Sequence, residues 1–138
     1  MACDLSIVIV NWNTRESLRA CLASLPGATV GLTCEVFVAD NRSGDGSADM
    51  VRAEFPGVTL LETGGNLGFA RANNLALAQA TGHKLLLLNP DTVCPARGLT
   101  RLCAHLDALP DAAAVGPDLT DATHRGTACW GDFPSPWH

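Results

Sequence analysis

The sequence has 138 residues, 47% hydrophobic and 17% charged, with a formal net charge of -5 at pH 7. This length suits one domain that buries its own core, and the apolar content excludes an intrinsically disordered chain. Because only nine Lys and Arg residues are scattered along an acidic chain, the composition also excludes a basic surface for a nucleic-acid backbone, and a phosphate-bearing ligand would need local donors or a bridging cation.

The first elements are a strand, a helix and a second strand. Residues 5–10 form a run of β-branched and leucine residues, with Ser6 as the exception, which predicts a strand buried on both faces. Asn13 or Thr14 is expected to cap the following helix, and Pro26 is expected to end it. Residues 34–39 predict the second strand.

The middle of the chain repeats this alternation. After a polar, glycine-rich turn at residues 40–47, a short helix is predicted to end at Pro56, and residues 58–61 predict a third strand. A further helix is expected over residues 69–81, with Gly82 as its C-terminal cap.

The last periodic segments are a strand, a helix and a weaker strand. Residues 84–88 predict the fourth strand, leucines between 99 and 109 mark an amphipathic helix, and residues 112–115 predict a weak fifth strand. The alternation predicts an α/β fold with a Rossmann-like, mainly parallel sheet and helices on both faces. Residues 1–117 are assigned to this domain, and residues 118–138, which lack periodicity, to the start of a second, acceptor-binding part.

The cysteines and the amino terminus indicate the compartment. The six cysteines form no Cys-x-x-Cys pair and no zinc-ligand spacing, and several fall at apolar positions, which favours reduced, buried thiols over disulfides. Asp4 stands where a signal peptide carries a cation, and no apolar run is long enough to span a membrane. The expected location is cytoplasmic, or at the inner face of the membrane for a full-length protein.

Polar clusters follow four of the predicted strands, where ligands bind in open parallel sheets. Trp12 is expected to pack on a base or sugar, and Asp40 to accept a hydrogen bond from a base N–H or a ribose hydroxyl. Asp91, expected as a buried acid beside the core, would ligate Mg²⁺ or Mn²⁺, and Arg71 would contact a phosphate or the ribose. The clusters are residues 11–13, 40–47, 64–68 and 89–92.

Each candidate also has a purely structural interpretation. The polar residues of segment 40–47 suit turns and helix caps in any protein, Trp12 could belong to the core, and Arg71 could be solvated on a helix surface. Two other phosphate sites find no support. The chain has no Gly-x-x-x-x-Gly-Lys-Ser/Thr motif, and the glycines of segment 64–68 lack the Gly-x-Gly-x-x-Gly spacing.

Taken in order, the clusters resemble glycosyltransferase family 2, particularly its rhamnosyltransferase-like members. The resemblance extends from Leu5 to about Pro117. It rests on four blocks: Asn11-Trp12-Asn13, residues 38–47 (Val-Ala-Asp-Asn-Arg-Ser-Gly-Asp-Gly-Ser), residues 66–74 (Asn-Leu-Gly-Phe-Ala-Arg-Ala-Asn-Asn) and residues 87–91 (Leu-Leu-Asn-Pro-Asp).

The resemblance implies a GT-A fold, a UDP- or dTDP-sugar donor, a glycan or lipid-linked acceptor, and Mg²⁺ or Mn²⁺ as cofactor. It implies that Asp40 binds the base with Trp12 beside it, and that Asp91 is the last position of the family's Asp-x-Asp metal motif. The expected nucleotide-binding residues are Val10, Asn11, Trp12, Asn13, Asp40, Asn66, Gly68, Arg71 and Asn89, with Asp91 as the metal ligand.

The chain departs from the family pattern in two ways. Asn89 occupies the first position of the metal motif, a form similar to enzymes that use dTDP-rhamnose, although UDP-galactofuranose stays an alternative. The base of inverting relatives lies well beyond the metal motif, so we expect the base beyond this chain and an incomplete donor-binding fragment, inactive alone. Apolar surface near Trp130, Phe133 and Trp137 then predicts a homodimer or a mobile tail after Pro117.

Two other functions stay open on the sequence. A nucleotidyltransferase of similar architecture would carry a glycine-rich loop with Arg and Lys directly after the first strand, where this chain has Asn11-Trp12-Asn13-Thr14-Arg15. A non-catalytic nucleotide-sugar-binding module is the alternative from another class, and a donor hydrolysis assay distinguishes it from an enzyme.

Overall fold

The computed structural model describes residues 3–121, 123 and 125–127. Its centre is a four-stranded parallel sheet with the strand order β3, β2, β1, β4. The strands are β1 (Leu5–Asn11), β2 (Cys34–Asp40), β3 (Thr59–Glu62) and β4 (Lys84–Leu88). Their boundaries agree with the sequence prediction to within one residue, because each strand is a short apolar run bounded by polar, Gly or Pro residues.

Helices cover both faces of the sheet, which confirms the predicted α/β class. They are α1 (Arg15–Ala28), α2 (Ser47–Glu54), α3 (Phe69–Leu77) and α4 (Gly98–Asp107). Buried residues of α1, α2 and α4 pack with Ile7 and Ile9 in one cluster, whereas Ala76 of α3 packs with Val8 and Phe37 on the opposite face. Because successive side chains of β1 enter different clusters, the strand must be apolar on both faces.

Pro26 does not end α1 as predicted, since the helix continues to Ala28. A proline near the end of a helix removes only one backbone hydrogen bond. The burial of Leu25 and Ala28 holds the last turn, and the N–H and hydroxyl of Thr29 both donate to the Leu25 carbonyl. Tertiary packing therefore outweighs the local effect of the proline.

Gly82 is not the predicted cap of α3, because the helix ends at Leu77. Just beyond that residue, the Gln79 and Ala80 N–H groups donate to carbonyls three residues back instead of four. The Gly82 N–H donates to Ser6 Oγ at 2.8 Å, and a Cβ atom at this position would lie 2.5 Å from the Ser6 backbone N. The chain needs glycine here because the connection from α3 to β4 passes directly against β1.

The predicted fifth strand at residues 112–115 is wrong. Residues 113–115 line a groove of about 330 Å³ beside α4 and the start of β4 without pairing as a strand. Residues 112–114 are alanines, which have a weak preference for strands, and this explains why the segment does not pair with the sheet.

The described chain ends in a short antiparallel hairpin, formed by β5 (Leu119–Thr120) and β6 (Gly126–Thr127). This hairpin belongs to the predicted second part. Trp130, Phe133 and Trp137, on which the predicted apolar surface depends, lie outside the described residues.

One face of β4 is uncovered in the described part of the chain. β4 lies at the edge of the sheet, and α3 packs over β1 and β2. The side chains of Leu85 and Leu87 are consequently 57% and 50% exposed. Apolar exposure of this kind on an edge strand is uncommon in folded domains.

The described cysteines are free thiols in mixed environments. Cys21, Cys94 and Cys103 are buried, as expected, whereas Cys34 is exposed, and Cys129 lies outside the described residues. Burial, followed by the nearby charges of Cys94 and Asp91, raises the pKa of the Cys21 thiol to about 12. Cys21 is therefore protonated and unreactive at neutral pH.

Among the residues that the structure describes, no helix is both long enough and apolar enough to cross a membrane.

Candidate functional site

The ends of β1 and β2 meet at a buried pair of polar side chains. Asn11 and Asp40 are register partners in the parallel ladder, and each is the last residue of its strand. Asn11 is fully buried, Asp40 is 2% exposed, and Asn11 Nδ2 donates to Asp40 Oδ1 at 2.8 Å. A carboxylate in this position needs such donors, because an unpaired charge beside the core is costly.

Ser43 completes the network around Asp40. Its Oγ donates to Asp40 Oδ1 at 2.6 Å, and its backbone N–H donates to Asp40 Oδ2 at 2.8 Å. The same Oγ accepts from Asn11 Nδ2 at 3.0 Å and from the backbone N–H of Asn13 at 2.9 Å. Since a hydroxyl has two lone pairs and one proton, these bonds use it completely and direct its proton to Asp40. Asp40 therefore accepts three hydrogen bonds, and Oδ2 keeps acceptor capacity for one more donor.

Ser43 was not among the site residues predicted from the sequence. A serine three residues after an aspartate, in a turn that follows a strand, is the local pattern in which side chain and backbone bond each other. That spacing is the signal that could have identified it.

Asn13 connects the loop after β1 to the loop after β2. Its backbone has a positive φ of 53°, a conformation that asparagine tolerates better than most residues. In this conformation its N–H reaches Ser43 Oγ, and its Oδ1 accepts from the Gly44 N–H at 2.7 Å. The two loops are therefore joined in both directions.

The predicted side-chain cap of α1 by Asn13 or Thr14 is absent. Thr14 Oγ1 donates to Asn11 Oδ1 at 2.7 Å instead, which fixes the orientation of the Asn11 amide. The N–H of Arg15, the first residue of α1, donates to Asp45 Oδ2 at 2.9 Å. Asp45, from the loop that precedes α2, therefore accepts a hydrogen bond from the first turn of α1. A contact between two loops replaces a local cap.

Asn41 attaches the glycine-rich loop to the end of β2. It is buried, its Oδ1 lies within hydrogen-bonding distance of the Thr63 hydroxyl and the Leu67 N–H, and its Nδ2 donates to the Gly68 carbonyl. Asn66 closes the loop by accepting from the Gly68 N–H at 2.9 Å. These bonds set where α3 begins, next to the Asp40 network.

Most of the other predicted nucleotide-binding residues are exposed around this buried centre. The Trp12 side chain is 56% exposed, which excludes the interpretation of Trp12 as a core residue. Val10 is half-buried, and the remaining exposed residues of the predicted set are Asn13, Asn66, Gly68, Arg71 and Asn89. A buried polar centre, with an exposed aromatic residue directly after Asn11 and an exposed cation in the first turn of α3, suits a ligand that docks from solvent.

Asp91 is exposed, so the expectation of a buried acid beside the core is wrong. The chain turns after β4, with the Thr92 N–H donating to the Asn89 carbonyl at 3.2 Å, and this turn carries Asp91 away from the core. No hydrogen bond or ion pair joins the Asp91 carboxylate to another described residue. Its two oxygens are available to a ligand.

No catalytic base can be assigned among the described residues. Asp121 accepts from the Thr123 hydroxyl and from the backbone N–H groups of Arg125 and Thr123, and these bonds lower the pKa of its carboxyl. A carboxylate with a lowered pKa is a weak base. Asp118 is exposed beside the hairpin, and Asp132 lies outside the described residues.

Comparison with known proteins gives consistent results. Residues 6–122 match the family model described as glycosyl transferase family 2. N-acetylglucosaminyl-diphospho-decaprenol L-rhamnosyltransferase of Mycobacterium tuberculosis is 31% identical to this chain over 128 residues, in two strains. The match covers 85% of this chain but 41% of the relative, so the chain spans about two fifths of the length of these curated relatives.

Solved structures show the same fold. The mannosyltransferase PcManGT from Pyrobaculum calidifontis, in complex with GDP-Man and Mn²⁺, is 26% identical with a TM-score of 0.65, over 80% of this chain and 33% of that one. S. aureus TarS 1-349 in complex with UDP is 20% identical with a TM-score of 0.69, over 88% of this chain and 43% of that one. The TarS likeness concerns the fold alone.

Proposed function

The chain belongs to glycosyltransferase family 2, and we propose that it binds the nucleotide of a sugar donor at the carboxyl ends of β1, β2 and β4. The observation that carries this proposal is the buried Asp40 carboxylate, held by three hydrogen bonds with acceptor capacity left at Oδ2. A rigid carboxylate suits a ligand group that must donate, such as the N3–H of uracil or thymine, or a ribose hydroxyl. UDP and dTDP meet this requirement.

The exposed groups near Asp40 supply the remaining contacts of the nucleotide. Trp12 offers a flat apolar face to the base or sugar, and Arg71 offers a fork of donors to a phosphate or the ribose. Asn66 and Gly68 lie in the loop that Asn41 attaches to β2. Val10, Asn11, Asn13 and Asn89 complete the proposed set.

Asp91 is the proposed ligand of Mg²⁺ or Mn²⁺. Among the described residues, no three His, Cys, Asp or Glu side chains are grouped to enclose a cation. The exposed Asp91 carboxylate together with diphosphate oxygens and water makes an oxygen donor set that fits these cations. When bound there, the cation neutralises negative charge on the leaving diphosphate. The complex of PcManGT with GDP-Man and Mn²⁺ supports this assignment.

The proposed reaction is transfer of the sugar to a glycan or lipid-linked acceptor, with inversion at the anomeric carbon. The rhamnosyltransferase of M. tuberculosis, named for a decaprenol-linked acceptor, supports this class of acceptor and a rhamnose donor. Inversion requires a base on the side opposite the leaving diphosphate, and Asp40, which the proposal assigns to the base or ribose of the nucleotide, is not that residue.

We also propose a cytoplasmic location, at the inner face of the membrane where the acceptor is lipid-linked. A homodimer is proposed as well, supported by the exposed Leu85 and Leu87 of β4. Light scattering of the purified chain measures its molar mass in solution, and the mass of a monomer at all concentrations would contradict the homodimer.

Calorimetric titration with UDP and dTDP, in Mn²⁺ and in EDTA, tests the site. We expect tighter binding with Mn²⁺, and we expect Asp91→Asn to remove most of that difference while keeping the melting temperature, because the carboxylate is exposed. Asp111→Asn, at an exposed position after α4, is the matched control. Equal wild-type affinity with Mn²⁺ and EDTA would rule out the metal role of Asp91.

Turnover separates the enzyme from a binding module. Release of UDP or dTDP from a nucleotide sugar, with and without acceptor, measures hydrolysis and transfer. Binding of donor without any turnover in the full-length protein would favour the non-catalytic module.

A further inference from the structure

The segment that carries Asp91 is attached to α1 on both sides of that residue. On the N-terminal side, the Cys21 thiol donates to the Asn89 carbonyl, with 3.8 Å between sulfur and oxygen. On the C-terminal side, the Cys94 N–H donates to Ser24 Oγ at 3.1 Å. Cys21 and Ser24 lie one turn apart on the same helix. One side of α1 therefore holds the segment between β4 and α4 both before and after Asp91.

The Ser24 hydroxyl has a fixed orientation. It donates its proton to the Cys21 carbonyl at 2.6 Å, so a lone pair is directed at the Cys94 N–H. Cys94 is itself buried in the cluster that contains Leu18, Leu22 and Leu25. The hydrogen bond from Cys94 therefore joins the segment to the rigid core.

Asp91 has no such attachment of its own. It is exposed, and among the described residues none bonds to its carboxylate. The attachments to α1 that lie nearest to it in the chain are those at Asn89 and Cys94, and we expect them to have the largest influence on where the carboxylate stands. Groups that act on a ligand must be held in position before it binds, because ordering them on binding reduces affinity.

We propose that Ser24 is a positioning residue that holds Asp91 where its carboxylate, a divalent cation and the donor's diphosphate can meet. This inference rests on the proposed function of Asp91. Ser24 touches neither cation nor nucleotide and acts through the Cys94 N–H. Removing its hydroxyl releases the attachment at Cys94, which is the nearer one on the C-terminal side of Asp91. The bond from the Arg97 N–H to the Gly27 carbonyl at 2.9 Å and the contacts of Asp40 stay in place.

The test compares Ser24→Ala with Ser24→Thr, which restores a hydroxyl, and with Ser17→Ala, an exposed serine on the same helix. Affinity for UDP and dTDP is measured by calorimetry in Mn²⁺ and in EDTA, at a temperature where every variant is folded. The quantity of interest is the ratio of the two affinities. Alanine in a helix interior is well tolerated, so Ser24→Ala is expected to fold.

We expect Ser24→Ala to lower this ratio about 3- to 10-fold, the effect of one hydrogen bond, with the EDTA affinity unchanged. Ser24→Thr and Ser17→Ala should keep the wild-type ratio. A wild-type ratio above one that Ser24→Ala leaves unchanged overturns the positioning role alone, as does an equal loss of affinity in both conditions. A wild-type ratio of one overturns the metal role of Asp91 and, with it, this inference.

Discussion

Replacing Asp40 by asparagine tests whether the buried network at the ends of β1 and β2 holds the site together. The substitution keeps the shape of the side chain and exchanges one acceptor oxygen for an NH₂ group. If the amide oxygen stays at Oδ1, where Asn11 and Ser43 donate, the new NH₂ faces the Ser43 backbone N–H at 2.8 Å. If the amide is turned over, the NH₂ faces the Asn11 amide and the Ser43 hydroxyl instead.

The first orientation costs less, because it opposes two donors at one place only. One charge-assisted hydrogen bond is lost and one buried N–H is left without an acceptor, which together cost about 2–3 kcal/mol. For a domain of this size, that loss lowers the melting temperature by about 6–12 °C. Nucleotide affinity should fall as well, since the NH₂ would occupy the acceptor position offered to the ligand.

Thermal and urea unfolding measure the first effect, and calorimetry with UDP measures the second. Asp91→Asn is the matched control, because it makes the same chemical change at an exposed carboxylate and should alter stability by less than about 0.5 kcal/mol. An equal shift in melting temperature for the two variants would refute the argument that Asp40, and not Asp91, is buried and held by hydrogen bonds.

Two further changes test the contacts at the opposite edge of the sheet, where β1, β2 and β4 begin. Gly82→Ala should destabilise the fold by about 2–4 kcal/mol in urea unfolding, because its Cβ would overlap the Ser6 backbone and weaken the bond to Ser6 Oγ. Gly57→Ala, with open space around its Cβ, should change little, and equal losses would contradict the packing argument. Glu35→Gln should reduce acid sensitivity, since the Ser6 hydroxyl and then the Thr81 N–H lower the pKa of Glu35. Its contribution is present above the ordinary pKa of 4.5 and lost as pH falls through the lowered value; parallel stability curves below pH 5 for both proteins would contradict this.

The fold class could be predicted because each element is encoded locally. Residues 5–10 and 84–88 are short apolar runs whose length and composition are typical of buried strands. Polar clusters at the strand ends then identify the edge of a parallel sheet at which ligands bind. The position of Asp40 followed from the same rule. What the pattern could not give was the partner of each polar group.

Two of the errors, at Gly82 and Pro26, have their physical origin in tertiary contacts, whereas the error at Asp91 comes from a turn. Gly82 has the sequence context of a helix cap, but its role depends on Ser6, which is remote in the chain. Pro26 was expected to end a helix that buried Leu25 and Ala28 continue. Asp91 follows an apolar strand, and only the turn after β4 decides that its side chain faces solvent. Local propensity cannot anticipate such effects.

The strand order also determines how the chain behaves while it is being synthesised. β1 lies between β2 and β4, yet β4 is completed only at Leu88, after β2, β3 and α3 have been synthesised. At about 5–20 residues per second, β1 keeps one side unpaired for a second or more after Glu62 has been added. During that interval the nascent chain presents a row of free N–H and carbonyl groups flanked by Ile7, Val8 and Ile9, which can pair with another nascent chain. In the completed molecule these backbone groups are paired with β2 and β4, and β1 is the most deeply buried strand.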